Sequence, residues 1–154
     1  MLTLDIELLE RSFLVGRLQN MASYFLNLTP LLEIVIRNPI MDRTFPVDGR
    51  VAAVIDTGFE GFLLVPEDVF EKLSLNQLEL DRRELILPNG LRAYSSGTYC
   101  EVMIPDLGVR LDGFVETLEG VGEVVVGADL LQNLRLRLDY CLRIVEVEVC
   151  RRNT

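Results

Sequence analysis

The run Val51-Ala52-Ala53-Val54-Ile55-Asp56-Thr57-Gly58 leads an apolar segment straight into a carboxylate, a hydroxyl and a glycine. A carboxylate at the end of a buried strand is costly unless it is hydrogen-bonded or put to use. Asp-x-Gly is also a common turn, and by residue frequencies alone Asp-Thr-Gly turns up in on the order of a few per cent of chains this long. The triplet alone therefore decides little. A second run, Val124-Val125-Val126-Gly127-Ala128-Asp129-Leu130-Leu131, places an apolar strand before a glycine and a short helix capped by Asp129. Between the two, Pro88-Asn89-Gly90 separates apolar segments, and Asn-Gly in that setting is a strong hairpin signal.

Composition removes most other chemistries. The 154 residues contain no His, which excludes Ser-His-Asp and Cys-His catalysis and every His-containing zinc site. Lys and Arg number 15 against 24 Asp and Glu, a net charge of −9 that repels nucleic-acid phosphates and anionic lipid, so neither nucleic acid nor membrane is an expected partner. Cys100, Cys141 and Cys150 fit no metal or redox spacing and read as small buried or strand residues in a reducing compartment. Asp5, Glu7 and Glu10 stand where a secretory signal would be basic, and the expected location is the cytoplasm. Glu116, Glu119 and Glu123 read as a solvated loop, since nothing nearby completes a metal ligand set. No cofactor or metal is expected.

The elements that must position these residues are mostly short strands. With 49 % hydrophobic and 25 % charged residues, the chain can bury one core. Strands are predicted at Leu31–Arg37, Arg50–Ile55, Glu84–Leu87, Leu91–Ile104, Val109–Leu118, Glu123–Val126, Leu134–Asp139 and Leu142–Val149. Short helices are predicted at Pro66–Leu73 and Ala128–Asn133. In residues 1–28, Leu2, Leu4, Ile6 and Leu8 alternate like a strand, whereas Leu14, Leu18, Met21 and Phe25 recur at helical spacing. The reading taken is an N-terminal extension over 1–28 with a helix over 5–26, then one domain over 29–150 and a tail over 151–154. Many short strands with few helices imply a mainly β, closed or sandwiched fold.

In their order, Ala53 to Pro66 with its Asp56-Thr57-Gly58, then Leu87-Pro88-Asn89-Gly90, then Val125-Val126-Gly127-Ala128-Asp129-Leu130-Leu131 resemble the retropepsin-like aspartic proteases, especially their short single-domain prokaryotic relatives. The resemblance spans about residues 31–149. It implies a closed retropepsin-like acid-protease β barrel, a homodimer, a flap hairpin with its tip at Pro88–Gly90, and peptide-bond hydrolysis. Such hydrolysis without His, metal or a nucleophilic Ser needs two carboxylates sharing one proton, and a chain with one Asp-Thr-Gly supplies them only by pairing Asp56 across a two-fold axis.

By the same resemblance Thr57 locks the two catalytic loops together and Gly58 lets a peptide or protein substrate approach. Gly127 permits close packing beneath the loop, while Phe59, Pro88, Asn89 and Gly90 face substrate. Two departures stand out. Phe59 replaces a small residue, and Ala128 stands where an Arg commonly pairs with an acid at the position of Glu60. They leave a second reading open, a non-catalytic dimerisation or peptide-binding module with the same fold.

Overall fold

A computed structural model describes residues 23–151. The chain begins there as β1 (Ser23–Leu26), turns at Asn27 and Leu28 and returns as β2 (Thr29–Asn38), with Ser23 opposite Leu32 and Leu26 opposite Thr29. Asn27 sits at φ 55°, a left-handed position that Asn tolerates better than most residues. The helix predicted over 5–26 is therefore corrected at its end: residues 23–26 are a strand, and the rest of that prediction lies outside the described residues, as do 152–154 of the tail. Burial explains the outcome. Ser23 and Phe25 point inward while Leu26 points out, and β2 supplies a complete ladder partner.

The chain continues through β3 (Arg43–Phe45), β4 (Val51–Ile55), β5 (Leu63–Leu64), α1 (Glu67–Lys72), β6 (Asp81–Ile86), β7 (Arg92–Ile104), β8 (Val109–Thr117), β9 (Val125–Val126), α2 (Ala128–Leu131), β10 (Leu134–Asp139) and β11 (Ile144–Val149). The fold is mainly β with two short helices, as the turn signals predict. From β2 the pairings run to β4, β9, β5, β8 and β7, and β7 pairs again with β2. Strands β4 and β9, and β5 and β8, run parallel, and the other pairs of that circuit are antiparallel. β10 and β11 form a separate two-stranded sheet.

Period-two burial builds the core. Leu32, Ile34 and Ile36 of β2 are fully buried with Leu63 of β5, Val102 and Ile104 of β7 and Val115 of β8. Each such side chain stabilises the fold by about 1.5–3 kcal/mol relative to exposure. Helix α1 buries Val69 and Phe70 and carries Glu67 and Asp68 in its first turn, where its dipole favours them. Asn38 closes β2 from within. Its side chain is buried, donates from Nδ2 to the Leu73 carbonyl at 2.9 Å and accepts the Ile40 amide at 3.1 Å, so no polar atom there is stranded.

β7 serves three partners. Its first part pairs with β6 (Asp81 opposite Gly97, Ile86 opposite Arg92), its remainder with β8, and Glu101–Met103 also with β2. At Gly97, where both flanking strands are present, a Cβ would press on the Val115 carbonyl oxygen and the Phe114 ring. Glycine permits the close approach.

The cysteines divide by burial, which corrects their reading as uniformly buried or strand residues. All three are free thiols; Cys100 is buried in β7, whereas Cys141 and Cys150 are exposed in the β10–β11 turn and after β11. Burial pushes the Cys100 thiol up to about 12. Maleimide labelling of the native protein at mildly alkaline pH is expected to modify Cys150 within minutes and Cys100 only after denaturation, read by intact mass.

Candidate active site

The apolar run before Asp56 becomes β4, and its neighbour β9 comes from the second motif. The Val54 amide donates to the Val124 carbonyl at 2.8 Å, and the Asp56 amide donates to that of Val126 at 3.0 Å. The ladder ends there, so Asp56 leaves the sheet with an exposed side chain. Its Oδ1 accepts the Gly58 amide at 2.9 Å, and the Phe59 amide closes a turn onto the Asp56 carbonyl at 3.2 Å. Backbone geometry thereby fixes one oxygen of an exposed carboxylate.

The second loop braces the first. The Ala128 amide donates to the Phe59 carbonyl at 2.7 Å, Asp129 to Gly61 at 3.1 Å and Gly127 to Phe62 at 3.2 Å. Gly127 is needed for contact and not for an unusual dihedral, since its φ is −105°. A Cβ there would run into the Gly61 carbonyl and into the ring and carbonyl of Phe59. Gly127 also occupies the cap position of α2, with Asp129 within the first turn, which corrects the reading of Asp129 as the cap.

Asp56, Gly58, Phe59 and Glu60 form the floor of a cleft of about 730 Å³. Arg83 through Pro88, on and after β6, make one wall, and Leu118 through Val121 make another. Of the residues singled out for substrate, Phe59 and Pro88 line this cleft; Asn89 and Gly90 form the hairpin tip beyond it, and Thr57 is exposed beside Asp56.

The tip differs in detail from a two-residue Asn-Gly turn. Pro88 and Asn89 are its central residues, the Gly90 amide donates to the Leu87 carbonyl at 2.8 Å, and only Gly90 has positive φ, at 81°. Asn89 Oδ1 accepts the Leu91 amide at 3.0 Å. A turn followed by one left-handed residue suits the twist of the hairpin, and Pro favours the position it occupies. Gly90→Val places a β-branched residue at that φ, at a cost of about 1–3 kcal/mol. The expected result is a distorted tip, read as faster hydrogen exchange of the Gly90 and Leu91 amides, with an unchanged circular dichroism spectrum.

Glu116 requires correction. Sequence reasoning set it in a solvated loop with Glu119 and Glu123, but it is the penultimate residue of β8 and fully buried. Arg83 of β6 reaches it, with Nη2 at 3.0 Å from Oε1 and 2.9 Å from Oε2. Burial raises the Glu116 carboxyl above the usual range, and the Arg83 charge and the Ser95 hydroxyl pull it back. The guanidinium carbon of Arg83 also lies 5.8 Å from the centroid of the Phe59 ring. The charged run Asp81-Arg82-Arg83-Glu84 gives no alternation to read, and the pairing with Glu116 has no local signature.

No group of His, Cys, Asp and Glu suited to hold a metal ion occurs among the described residues, and no helix among them is long and apolar enough to cross a membrane. No protein-family model matches the chain. Its structure is similar to the retroviral protease-like domain of Ddi1 from Leishmania major, at a TM-score of 0.47 and 13 % identity, covering 82 % of this chain and 97 % of that one. It is also similar to a retropepsin-like aspartic protease from Rickettsia conorii, at a TM-score of 0.48 and 18 % identity, covering 72 % and 87 %. An uncharacterized protein of Archaeoglobus fulgidus is 48 % identical over 126 residues, which cover 82 % of this chain and 98 % of that protein. Identity at that level over nearly the whole of the archaeal protein means that the chain belongs to its family.

Proposed function

We propose that the protein is a homodimeric aspartic endopeptidase, with the Asp56 of each subunit forming the catalytic pair at the two-fold axis. The observation that carries the reading is the site's frame: an exposed carboxylate, fixed through one oxygen by the Gly58 amide, at the floor of a cleft walled by a hairpin. One Asp56 carboxylate takes a proton from water as the water oxygen bonds to the peptide carbonyl carbon, and its partner gives a proton to the carbonyl oxygen. As the C–N bond breaks, the first gives its proton to the leaving amine, and the partner takes a proton back from a hydroxyl of the tetrahedral carbon, which becomes the new carboxyl group and leaves the pair sharing one proton again. An extended peptide between the Asp56 loops and the hairpin is shielded from bulk water. Thr57 and Gly58 serve loop locking and substrate approach, and Phe59 and Pro88 the side chains beside the scissile bond.

Assembly in pairs fits the surface around β1 and the β10–β11 turn. Leu26, Leu28, Tyr140 and Leu142 are more than half exposed, and Arg143 joins the two turns by donating to the Asn27 carbonyl at 2.9 Å. The exposed free thiols of Cys141 and Cys150 fit a reducing cytoplasm. Digestion of a peptide library across acid to neutral pH, read by mass spectrometry, should show cleavage strongest at acid pH and confined to concentrations at which sedimentation shows a dimer. Cleavage by a sedimenting monomer would end the paired-carboxylate reading.

A further inference from the structure

The catalytic loop departs from a plain acid–hydroxyl–glycine loop at two points, Phe59 and Ala128. Ala128 offers the loop only its backbone amide, and Glu60 beside it is exposed without an ion-pair partner among the described residues. The side of the loop facing the hairpin is held differently. Arg83 projects from β6 beside the cleft floor, lays its guanidinium over the Phe59 ring at 5.8 Å and donates to the buried Glu116 carboxylate, Nη2 to Oε1, at 3.0 Å. Gly61 lies against both, since a Cβ there would strike the Phe59 ring and Arg83 Nη2. The Phe59 and Gly61 carbonyls are in turn the acceptors for Ala128 and Asp129.

We propose that Arg83 is a positioning residue for the Asp56 loop, clamping Phe59 against the second loop from the hairpin strand and anchored by Glu116. Ala128 has no side chain long enough to reach Glu60, so the restraint comes from the hairpin side. A guanidinium suits the task because its flat face can cover a ring while its edge bonds a carboxylate; an ammonium keeps the charge and loses the face. The ion pair neutralises Arg83, so its part is to hold the loop and not to attract a charged substrate.

The proposal builds on the peptidase reading and is tested with a readout that does not need it. Arg83→Lys keeps a cation for Glu116, and Arg83→Lys/Ala128→Arg adds a guanidinium beside Glu60. Hydrogen exchange of the Phe59 and Ala128 amides, with β10–β11 amides as reference, is measured beside peptide cleavage in the parent, both variants and Asp56→Asn. In Arg83→Lys the two loop amides should exchange about tenfold faster with the reference unchanged. Its kcat should fall about tenfold while KM stays within about threefold, and the double variant should recover both. Parental exchange and kcat in Arg83→Lys, or no recovery in the double variant, overturns the proposal. If exchange rises throughout, Arg83→Met/Glu116→Gln, which leaves no buried charge, takes the place of Arg83→Lys and the same outcomes decide. If the parent cleaves no peptide, the peptidase reading fails by itself and the exchange data alone judge the clamp.

Discussion

Asp56→Asn is expected to reduce kcat/KM for peptide cleavage by roughly 10³-fold or more, because in a symmetric dimer one substitution removes both proton-transferring groups. The fold should survive. Asn keeps the volume and an oxygen to accept the Gly58 amide, and the exposed side chain takes no part in the core. Sedimentation and thermal unfolding of the variant should therefore match the parent while cleavage is lost. Undiminished turnover would move the chemistry to another residue.

Gly127→Ala should show the largest stability effect of any single methyl added near the site. The new Cβ meets carbonyl oxygens of Gly61 and Phe59, and these backbone groups cannot retreat without breaking the bonds from Asp129 and Ala128. Overpacking against a rigid neighbour costs about 1–3 kcal/mol, with Gly127 at the upper end, so Tm should drop by roughly 6–12 °C for a chain of this size. Gly122→Ala is the matched control, since a Cβ there meets nothing within 4 Å. Equal melting of the two variants would mean that the loops are not braced as described. Because the same contacts hold Asp56, Gly127→Ala should also slow cleavage well below the melting range.

The longer strands from Leu31 to Val149 were legible because Pro, Gly and Asn interrupt apolar alternation at most turns, and β10 matches its predicted bounds residue for residue, whereas β3 and β5, of three and two residues, are too short to show a period and were not predicted. The Asp56 loop and its brace were legible too, as motifs. Long-range pairing was not. The local spacing of Met21 and Phe25 favoured a helix, and β1 exists because β2 lies across a left-handed Asn27. The run Asp81-Arg82-Arg83 hid the first half of β6, whose charges are tolerated because one of them reaches Glu116 on β8. Glu116 looked solvated for the same reason: a buried carboxylate is recognised by a partner 33 residues away, not by its neighbours in the chain.

The triple pairing of β7 makes the hairpin a lever. Its root is fixed at Gly97 and Ser96, gripped between Asp81 and Arg82 on one adjoining strand and Glu116 and Thr117 on the other, and beyond Ser96 only β6 accompanies β7. From Gly97 to Asn89 the arm measures about 26 Å at the rise of an extended strand. A swing of about 10° at such a root carries the tip by about 4–5 Å, enough to admit a peptide backbone and shut behind it, while the ladder of β7 with β8 and β2 stays in register. Arg83 lies two residues from the fulcrum, where it can grip the floor and barely travel.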